Sequence, residues 1–257
     1  MKKHLALTAA IGLALTLLAC EDKEKKQTPA ETQTAETEAA TETQQPTQAA
    51  DTKPPETASE IPLAKAEEVV KSTFTDPRDS KTYKTVKIGN QTWMAENLNF
   101  EAEGSVCYKN DPTNCQKYGR LYDWNTAIKA CPKGWHLPSN VEWGILTKVV
   151  GGYETAGKYL KATSGWNDAF ECVKYIEDNC DEYGEKKSGN GTDNYGFSAL
   201  PGGGPFSSIG FGGEWWSATE SRVNYAYGWG TTFDEESFSW LDYDKSKFYH
   251  SVRCIKD

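Results

Sequence analysis

The chain has no aromatic residue between Cys20 and Phe74, although 12% of all its residues are Phe, Trp or Tyr. This segment is rich in Thr, Ala, Gln and Pro, and such a composition cannot bury enough apolar surface to offset the entropy lost on folding. Basic residues are outnumbered by acidic ones, 28 to 37, and the net charge of −9 argues against nucleic acid and anionic lipid as partners. We therefore predict a disordered acidic tether over residues 20–72 and one compact domain over residues 73–257.

The chain also lacks a long apolar run, because the one at its N-terminus, Leu5 to Ala19, is too short for a lasting membrane span. A basic flank precedes it, and it ends Leu17-Leu-Ala-Cys20, which resembles a bacterial lipobox. We expect residues 1–19 to be a lipoprotein signal peptide and Cys20 to be lipidated, with an ordinary signal peptide as the alternative. The acidic pair Glu21-Asp22 resembles surface-export tags. Together these features predict a lipid-anchored protein of the bacterial cell envelope, at the outer membrane or the cell surface.

Six cysteines remain after Cys20, and an even number in an exported protein predicts three disulfides. Two pairs share the spacing C-x7-C within polar, loop-like stretches, so local pairing is the simplest arrangement. A zinc site assisted by His136 and His250 is the alternative, although this spacing is unusual for zinc. The predicted disulfides are Cys107–Cys115, Cys172–Cys180 and Cys131–Cys254.

Local signals predict several elements of an α+β domain. Thr82 to Ile88 alternates and is followed by Gly89-Asn90 and a second short strand, which predicts a tight hairpin. Asp123 is placed to cap a helix from Trp124 to Ala130. Ser139 and Glu142 fit a capping box for a second helix. Residues 160–214 are expected to be mostly loop, and the end of the chain is expected to form a meander of strands.

Several segments resemble the Fibrobacter succinogenes major paralogous domain, a family of bacterial exported modules whose name implies no established activity. The resemblance spans nearly all of residues 73–257. It rests on Asp76 to Asp79, Tyr83 to Gly89, Gln91 to Leu98, Cys131 to Pro138, Gly191 to Pro201, Trp215 to Glu220 and Ser251 to Cys254.

Trp124 to Trp143, together with Val252 to Cys254, is more distantly similar to the C-type-lectin-like fold and its formylglycine-generating relatives. That fold links its first helix to its last strand by a disulfide, which agrees with the predicted Cys131–Cys254 pair. The resemblance implies two short helices with antiparallel hairpins and long loops. Trp166 to Asp168 looks like the lectin calcium motif, but it lies far from the C-terminus and lacks the usual partner motif, so no calcium site is carried over.

One loop has oxygen ligands that calcium would need, but Asn, Asp and Gly also make turns, and a turn is favoured. The weak calcium candidates there are Asn190, Asp193 and Asn194. No cofactor is otherwise expected. His136 is expected to be packed, and His250 has no nearby nucleophile in the sequence, so no catalytic residue is assigned.

The meander supplies the candidate binding surface. Tyr225, Tyr227 and Trp229 alternate with Ala226, Gly228 and Gly230, which puts three aromatics on one face and almost nothing on the other. Exposed aromatic faces stack on sugars, although burial of this row in the core is the default for aromatics. Trp229 is expected to be the most exposed. The candidates for ligand contact are Trp215, Trp216, Glu220, Tyr225, Tyr227, Trp229 and Asp234.

These features predict a non-enzymatic binding or adhesion domain for a polysaccharide or a surface protein. Two alternatives stay open. One is an envelope enzyme, either a carbohydrate hydrolase or a relative of the formylglycine-generating oxidases. The other is a structural spacer without a specific ligand.

The lipobox generates the first testable prediction. Replacing Cys20 by Ser removes the thiol that would carry the acyl chains, so Cys20→Ser should release the protein from the membrane fraction. Fractionation and immunoblotting of the parent protein and of Cys20→Ser measure this release. If Cys20→Ser stays in the membrane fraction to the same extent, the anchor lies elsewhere.

Overall fold

The described part of the chain has the mixed α+β architecture predicted from the sequence. It is a computed structural model, and it describes residues 69–171, 185–204 and 207–257. The helices are α1 Pro112–Tyr118, α2 Trp124–Ala130, α3 Asn140–Val149 and α4 Tyr153–Leu160, preceded by a 3-10 turn at Tyr108–Asn110. The strands are β1 Val70–Thr75, β2 Thr82–Ile88, β3 Gln91–Met94, β4 Ser105–Val106, β5 Leu121–Tyr122, β6 Trp135–His136, β7 Asp168–Glu171, β8 Glu185–Ser188, β9 Gly212–Arg222, β10 Tyr225–Thr232, β11 Ser239–Asp244, β12 His250–Ser251 and β13 Ile255–Lys256.

The predicted hairpin is confirmed. Strands β2 and β3 pair antiparallel, with Ile88 opposite Gln91 across the two-residue turn. Gly89 occupies the left-handed region there, with φ of 59°, which glycine adopts without steric cost. Strand β1 pairs along β2 from Val70, three residues before the predicted domain boundary at residue 73.

Helices α2 and α3 begin at the predicted caps. The side chain of Asp123 accepts a hydrogen bond from the Thr126 amide, and Ser139 and Glu142 form the reciprocal capping box. Residues 69–171, 185–204 and 207–257 hold four helices, so the expectation of two helices is wrong. Helix α1 has its own signals, a capping Asp111 and a proline in its first turn, within a stretch whose polarity and paired cysteines suggest a loop. Helix α4 begins after Gly152 without a side-chain cap.

The predicted last strand is divided between two sheets. One sheet has the order β1-β2-β3-β13-β6, and the other has the order β11-β10-β9-β12-β5-β4. Strands β7 and β8 form a separate hairpin inside the expected loop region. Strand β12 lies parallel to β9, with Ser251 opposite Trp215, whereas Ile255 of β13 pairs with Trp93 of β3. The chain therefore crosses from one sheet to the other between Ser251 and Ile255.

Arg253 lies at this crossing and is fully buried. Its guanidinium donates to Asn97 Oδ1 at 2.8 and 3.1 Å and to the carbonyl oxygens of Met94, Phe197 and Ser198. Burial lowers the pKa of Arg253 to about 9, which still leaves it charged at neutral pH. Charge-assisted hydrogen bonds of this kind offset the cost of removing the guanidinium from water.

Two hydrophobic cores lie on opposite faces of the sheet that contains β9 and β10. The first packs α3 and α4 against the sheet, and the second packs α2 against the other face. Large buried members of the first core are Trp93, Trp143, Phe197, Trp215, Trp229 and Phe238. Large buried members of the second are Tyr122, Trp124, Trp135, Trp216 and Tyr243.

Two of the predicted disulfides are confirmed, Cys107–Cys115 and Cys131–Cys254. These bonds exclude the zinc alternative for the same four cysteines. The predicted Cys172–Cys180 pair lies outside the described residues. No helix in the described part of the chain has the length and apolar character needed to cross a membrane.

The two disulfides should differ in their effect on stability. Cys131–Cys254 spans 123 residues and Cys107–Cys115 spans 8. In the chain-entropy model they restrict the unfolded state by about 5 and about 2.5 kcal/mol, respectively. We therefore expect Cys131→Ser to lower the free energy of unfolding more than Cys107→Ser does, measured by urea denaturation. Equal losses would show that loop closure does not set their contribution.

Candidate functional site

The aromatic row of β10 does not form an exposed platform. Trp229 is only 1% exposed, so the prediction that it is the most exposed residue of the row is wrong. Its ring lies 4.9 Å from that of Trp240, and its Nε1 donates to Asn140 Oδ1 at 2.8 Å. Helix α3 supplies that asparagine and covers this face of the sheet. Tyr225 and Tyr227 are half-buried farther along the strand.

Trp215 and Trp216 point to opposite faces of β9, as alternation predicts, yet both are fully buried. Trp215 Nε1 donates to Asn97 Oδ1 at 2.8 Å, and Trp216 Nε1 donates to the Tyr122 carbonyl at 2.7 Å. Each face of β9 carries a hydrophobic core, so neither ring reaches a surface. The expectation that one of them contributes to a binding surface is therefore wrong.

The two acidic candidates of the meander are exposed and lie apart from the tryptophan rings. Glu220 pairs with Lys245 at 2.7 Å near the far end of β9. Asp234 accepts from the Thr232 hydroxyl at 2.7 Å in the turn after β10. With the tryptophans buried, these carboxylates do not combine with them into one site.

Two of the three candidate calcium residues already accept hydrogen bonds within the protein. Asp193 accepts from the amide and the hydroxyl of Ser198 at 2.7 and 2.6 Å. Asn190 Oδ1 accepts from the Trp166 amide at 3.0 Å. Asn194, the third candidate, is exposed. Within residues 69–171, 185–204 and 207–257, no three His, Cys, Asp or Glu side chains gather as a metal site would require.

His136 lies on β6 and links two carboxylates. Its Nδ1 is 2.7 Å from Asp257 Oδ1, and its Nε2 is 2.7 Å from Glu142 Oε1. Burial works against its charge, but the two carboxylates outweigh it and raise the pKa of His136. The ring therefore ties the end of the chain to the start of α3, which is a structural role.

A recess of about 370 Å³ opens on the other face of β10, the face that holds the glycines. Gly228 and Gly230 make this recess possible. A Cβ on Gly228 would come within 2.8 Å of Tyr243 Cε2, and one on Gly230 within 3.1 Å of Glu214 Cγ. The glycines thus let a phenol ring and a carboxylate side chain lie flat against the strand.

Glu214 and His250 form a close pair at the recess. His250 is fully buried, and its Nδ1 lies 3.1 Å from Glu214 Oε2. The imidazole packs edge-on against Trp216 and Tyr243, with ring centroids 4.2 and 4.4 Å away. Burial lowers the pKa of His250, although Glu214 opposes the shift. The imidazole is therefore neutral at pH 7.

Tyr243 and several hydroxyl groups line the recess together with this carboxylate. Burial raises the pKa of Tyr243, and the charge of Glu214 raises it further, so the phenol stays protonated at physiological pH. Leu241, on the same strand, is 64% exposed and gives the recess an apolar side. The remaining lining residues are Thr231, Thr232, Glu235, Ser237 and Ser239.

A buried lysine holds the turn that forms one wall of the recess. Lys161 is 4% exposed, and its Nζ donates to the carbonyls of Thr232 at 3.1 Å and Glu235 at 2.8 Å. Burial lowers the pKa of Lys161 to about 8, so it remains a cation at neutral pH. The ammonium faces the backbone of the turn and fixes its shape.

Sequence reasoning missed Glu214 as a site residue and set His250 aside. The available signal was the nearly empty face of β10 opposite the aromatic row. The recess lies on that face. The pairing of β12 with β9 brings His250 to Glu214, and no local pattern encodes that pairing.

The model of the Fibrobacter succinogenes major domain matches residues 86–256, which is most of the chain. The chain belongs to this family. The match includes β9 to β12, so the recess lies within the family domain. No curated protein and no solved structure matches the chain.

The burial of Trp229 in this family domain generates a prediction. Removing a buried tryptophan leaves a cavity and leaves the Asn140 amide oxygen without its hydrogen-bond donor. Trp229→Ala should therefore lower the free energy of unfolding by about 3–5 kcal/mol. Tyr227→Ala, two residues away on the same face but half-buried, is the matched control and should cost less. Urea denaturation measures both. A nearly unchanged midpoint for Trp229→Ala would contradict its place in the core.

Proposed function

We propose that this protein is a lipid-anchored component of the bacterial cell envelope whose domain binds polysaccharide through the glycine-floored recess. The observation that carries the proposal is the recess itself. It presents a carboxylate, a protonated phenol, several hydroxyl groups and one exposed apolar side chain in an open hollow. Binding sites for polar ligands combine a few such groups with apolar contact area.

The chemistry of the lining fits a saccharide. Hydroxyl side chains both donate and accept hydrogen bonds, as sugar hydroxyls do. Ser239 is exposed at the rim and can exchange water for ligand hydroxyls, and the Thr232 hydroxyl, which donates to Asp234, can still accept a hydrogen bond. Leu241 offers an apolar contact to the C–H surface of a sugar ring. This replaces the stacking platform expected from the sequence, because the tryptophans of that platform are buried.

Burial of His250 favours binding over hydrolysis at this site. The imidazole is fully buried behind Glu214, Trp216 and Tyr243, so it does not meet a ligand in the recess. A general acid or base must come within hydrogen-bonding distance of the reacting group. We therefore assign His250 to holding Glu214 in position rather than to proton transfer.

We further propose that the α+β domain is C-type-lectin-like. The support is the disulfide from the end of α2 to the residue before the last strand, together with the division of the chain end between two sheets. In this arrangement the Cys131–Cys254 disulfide fixes the base of the domain. The strands and turns at the other end are then free to shape a ligand site.

The proposed location rests on the N-terminal sequence. The lipobox-like ending at Cys20 supports an anchor in the membrane. About fifty residues of acidic, Thr-rich tether would let the domain reach roughly 40 Å from that anchor. A domain held at such a distance is suited to contact polysaccharide at the outer membrane or the cell surface.

Blocking the recess tests the proposed function. Ser239→Tyr puts a large side chain into the recess from an exposed position, and Val223→Tyr makes the same change at the exposed β9–β10 hairpin tip. We expect the full chain in detergent to bind a polysaccharide on a glycan array and in pull-downs. Ser239→Tyr should abolish that binding, and Val223→Tyr should retain it.

Binding that survives Ser239→Tyr would place the site elsewhere. A folded chain that retains no polysaccharide would overturn the proposed function. Thermal midpoints of both variants within a few degrees of the parent would confirm that the substitutions leave the fold intact.

A further inference from the structure

Glu214 brings an unbalanced negative charge to the recess. Its side chain is 15% exposed, and its Oε2 atom lies 3.1 Å from Nδ1 of His250, a ring that brings no positive charge. The described residues that line the recess include a second carboxylate, Glu235, and no lysine or arginine. A partly desolvated carboxylate attracts a cation more strongly than one in bulk water does.

His250 does not neutralise this charge. The imidazole is fully buried and neutral at pH 7, as argued above. A carboxylate beside Nδ1 favours the tautomer with its proton there, which leaves Nε2 as an acceptor. Nε2 has no described hydrogen-bond partner and lies 3.5 Å from the position that a Cβ on Gly228 would take. His250 does not line the recess, so the acceptor that a ligand there can reach is the Glu214 carboxylate, and a ligand that donates hydrogen bonds complements it.

We propose that the recess recognises the free ammonium group of an amino sugar, with Glu214 as its counter-ion. This specificity rests on the polysaccharide-binding function proposed above. The ammonium donates to the Glu214 carboxylate, and the sugar hydroxyls contact the hydroxyl groups at the rim. An N-acetylated sugar has no charge at this position and adds a bulky group, so the recess discriminates against it.

The shape and lining of the recess favour a sugar amine over a lysine side chain. A lysine presents one charge on a narrow apolar stem. The recess is instead lined by hydroxyls from Thr232, Ser237 and Ser239 as well as by its carboxylate, and it is open to solvent. Several hydroxyl partners match the several hydroxyls of a sugar ring.

The test compares two hexasaccharides that differ only in acetylation. Isothermal titration calorimetry of the full chain in detergent uses β-1,4-linked glucosamine hexamer and its N-acetylated counterpart as probes. One charge-assisted hydrogen bond corresponds to about tenfold in affinity or more, so the free-amine hexamer should bind at least about tenfold more tightly. Glu214→Gln should abolish this preference, because it keeps the shape of the side chain and removes its charge.

Asp242→Asn is the matched control. Asp242 lies on β11 between Leu241 and Tyr243 but points to the opposite face, where it pairs with Arg222 at 2.6 Å. The substitution removes the same charge from the same sheet, so it should leave the preference unchanged. If Asp242→Asn weakens binding as much as Glu214→Gln does, general charge attraction explains the result and the proposal is wrong.

Other outcomes overturn the proposal in distinguishable ways. Equal affinity for the two hexamers, or a preference that persists in Glu214→Gln, excludes an ammonium site at Glu214. If a neutral polysaccharide still binds and Ser239→Tyr blocks it, the proposed function survives that result. If hexalysine binds more tightly than the glucosamine hexamer and depends on Glu214, the site is for a cationic peptide. A folded chain that binds no glycan overturns both proposals.

Discussion

The buried guanidinium of Arg253 is the contact on which the relation between the two sheets depends. It lies where the chain leaves β12 and enters β13, and it donates to Asn97, whose Oδ1 also accepts from Trp215. Asn97 in turn donates to Ser251 on β12 and to the Tyr118 carbonyl. One charged side chain and one amide therefore join both sheets, α1 and a core tryptophan. A burial this costly requires all of these partners at once, which disfavours other registers of the last two strands.

The features that could be predicted from the sequence are those encoded within a few residues. The caps at Asp123 and Ser139 need only the amides that follow them, and the Gly89-Asn90 turn needs only its two flanking strands. The Cys131–Cys254 bond could be predicted from the sequence for a different reason. The other cysteines have near neighbours in the sequence, and these two are left over. Local chemistry and counting were sufficient in these cases, and no knowledge of the packing was required.

Exposure could not be predicted in the same way. The alternation in β10 correctly predicts that Trp229 and Gly228 lie on opposite faces of the strand. It does not predict which element covers either face. Helix α3 covers the aromatic face through Asn140 and Trp143, which lie more than eighty residues earlier in the chain. The approach of His250 to Glu214 depends on the parallel pairing of β12 with β9, which brings together residues 36 positions apart. Neither contact leaves a pattern in the local sequence.

The aromatic row and the recess of β10 have one physical origin. A strand that puts Trp229 into a core filled by α3 needs no side chain on its other face to remain ordered, because its neighbours β9 and β11 hold it on both edges. Gly228 and Gly230 can then leave that face free for the side chains of Tyr243 and Glu214. Glycine normally weakens a strand, and here the tryptophan packing on the opposite face compensates for it. A larger residue at Gly230 would press on the Gly213 carbonyl and on the Glu214 side chain, so the same three residues, Gly228, Trp229 and Gly230, shape both the core and the recess.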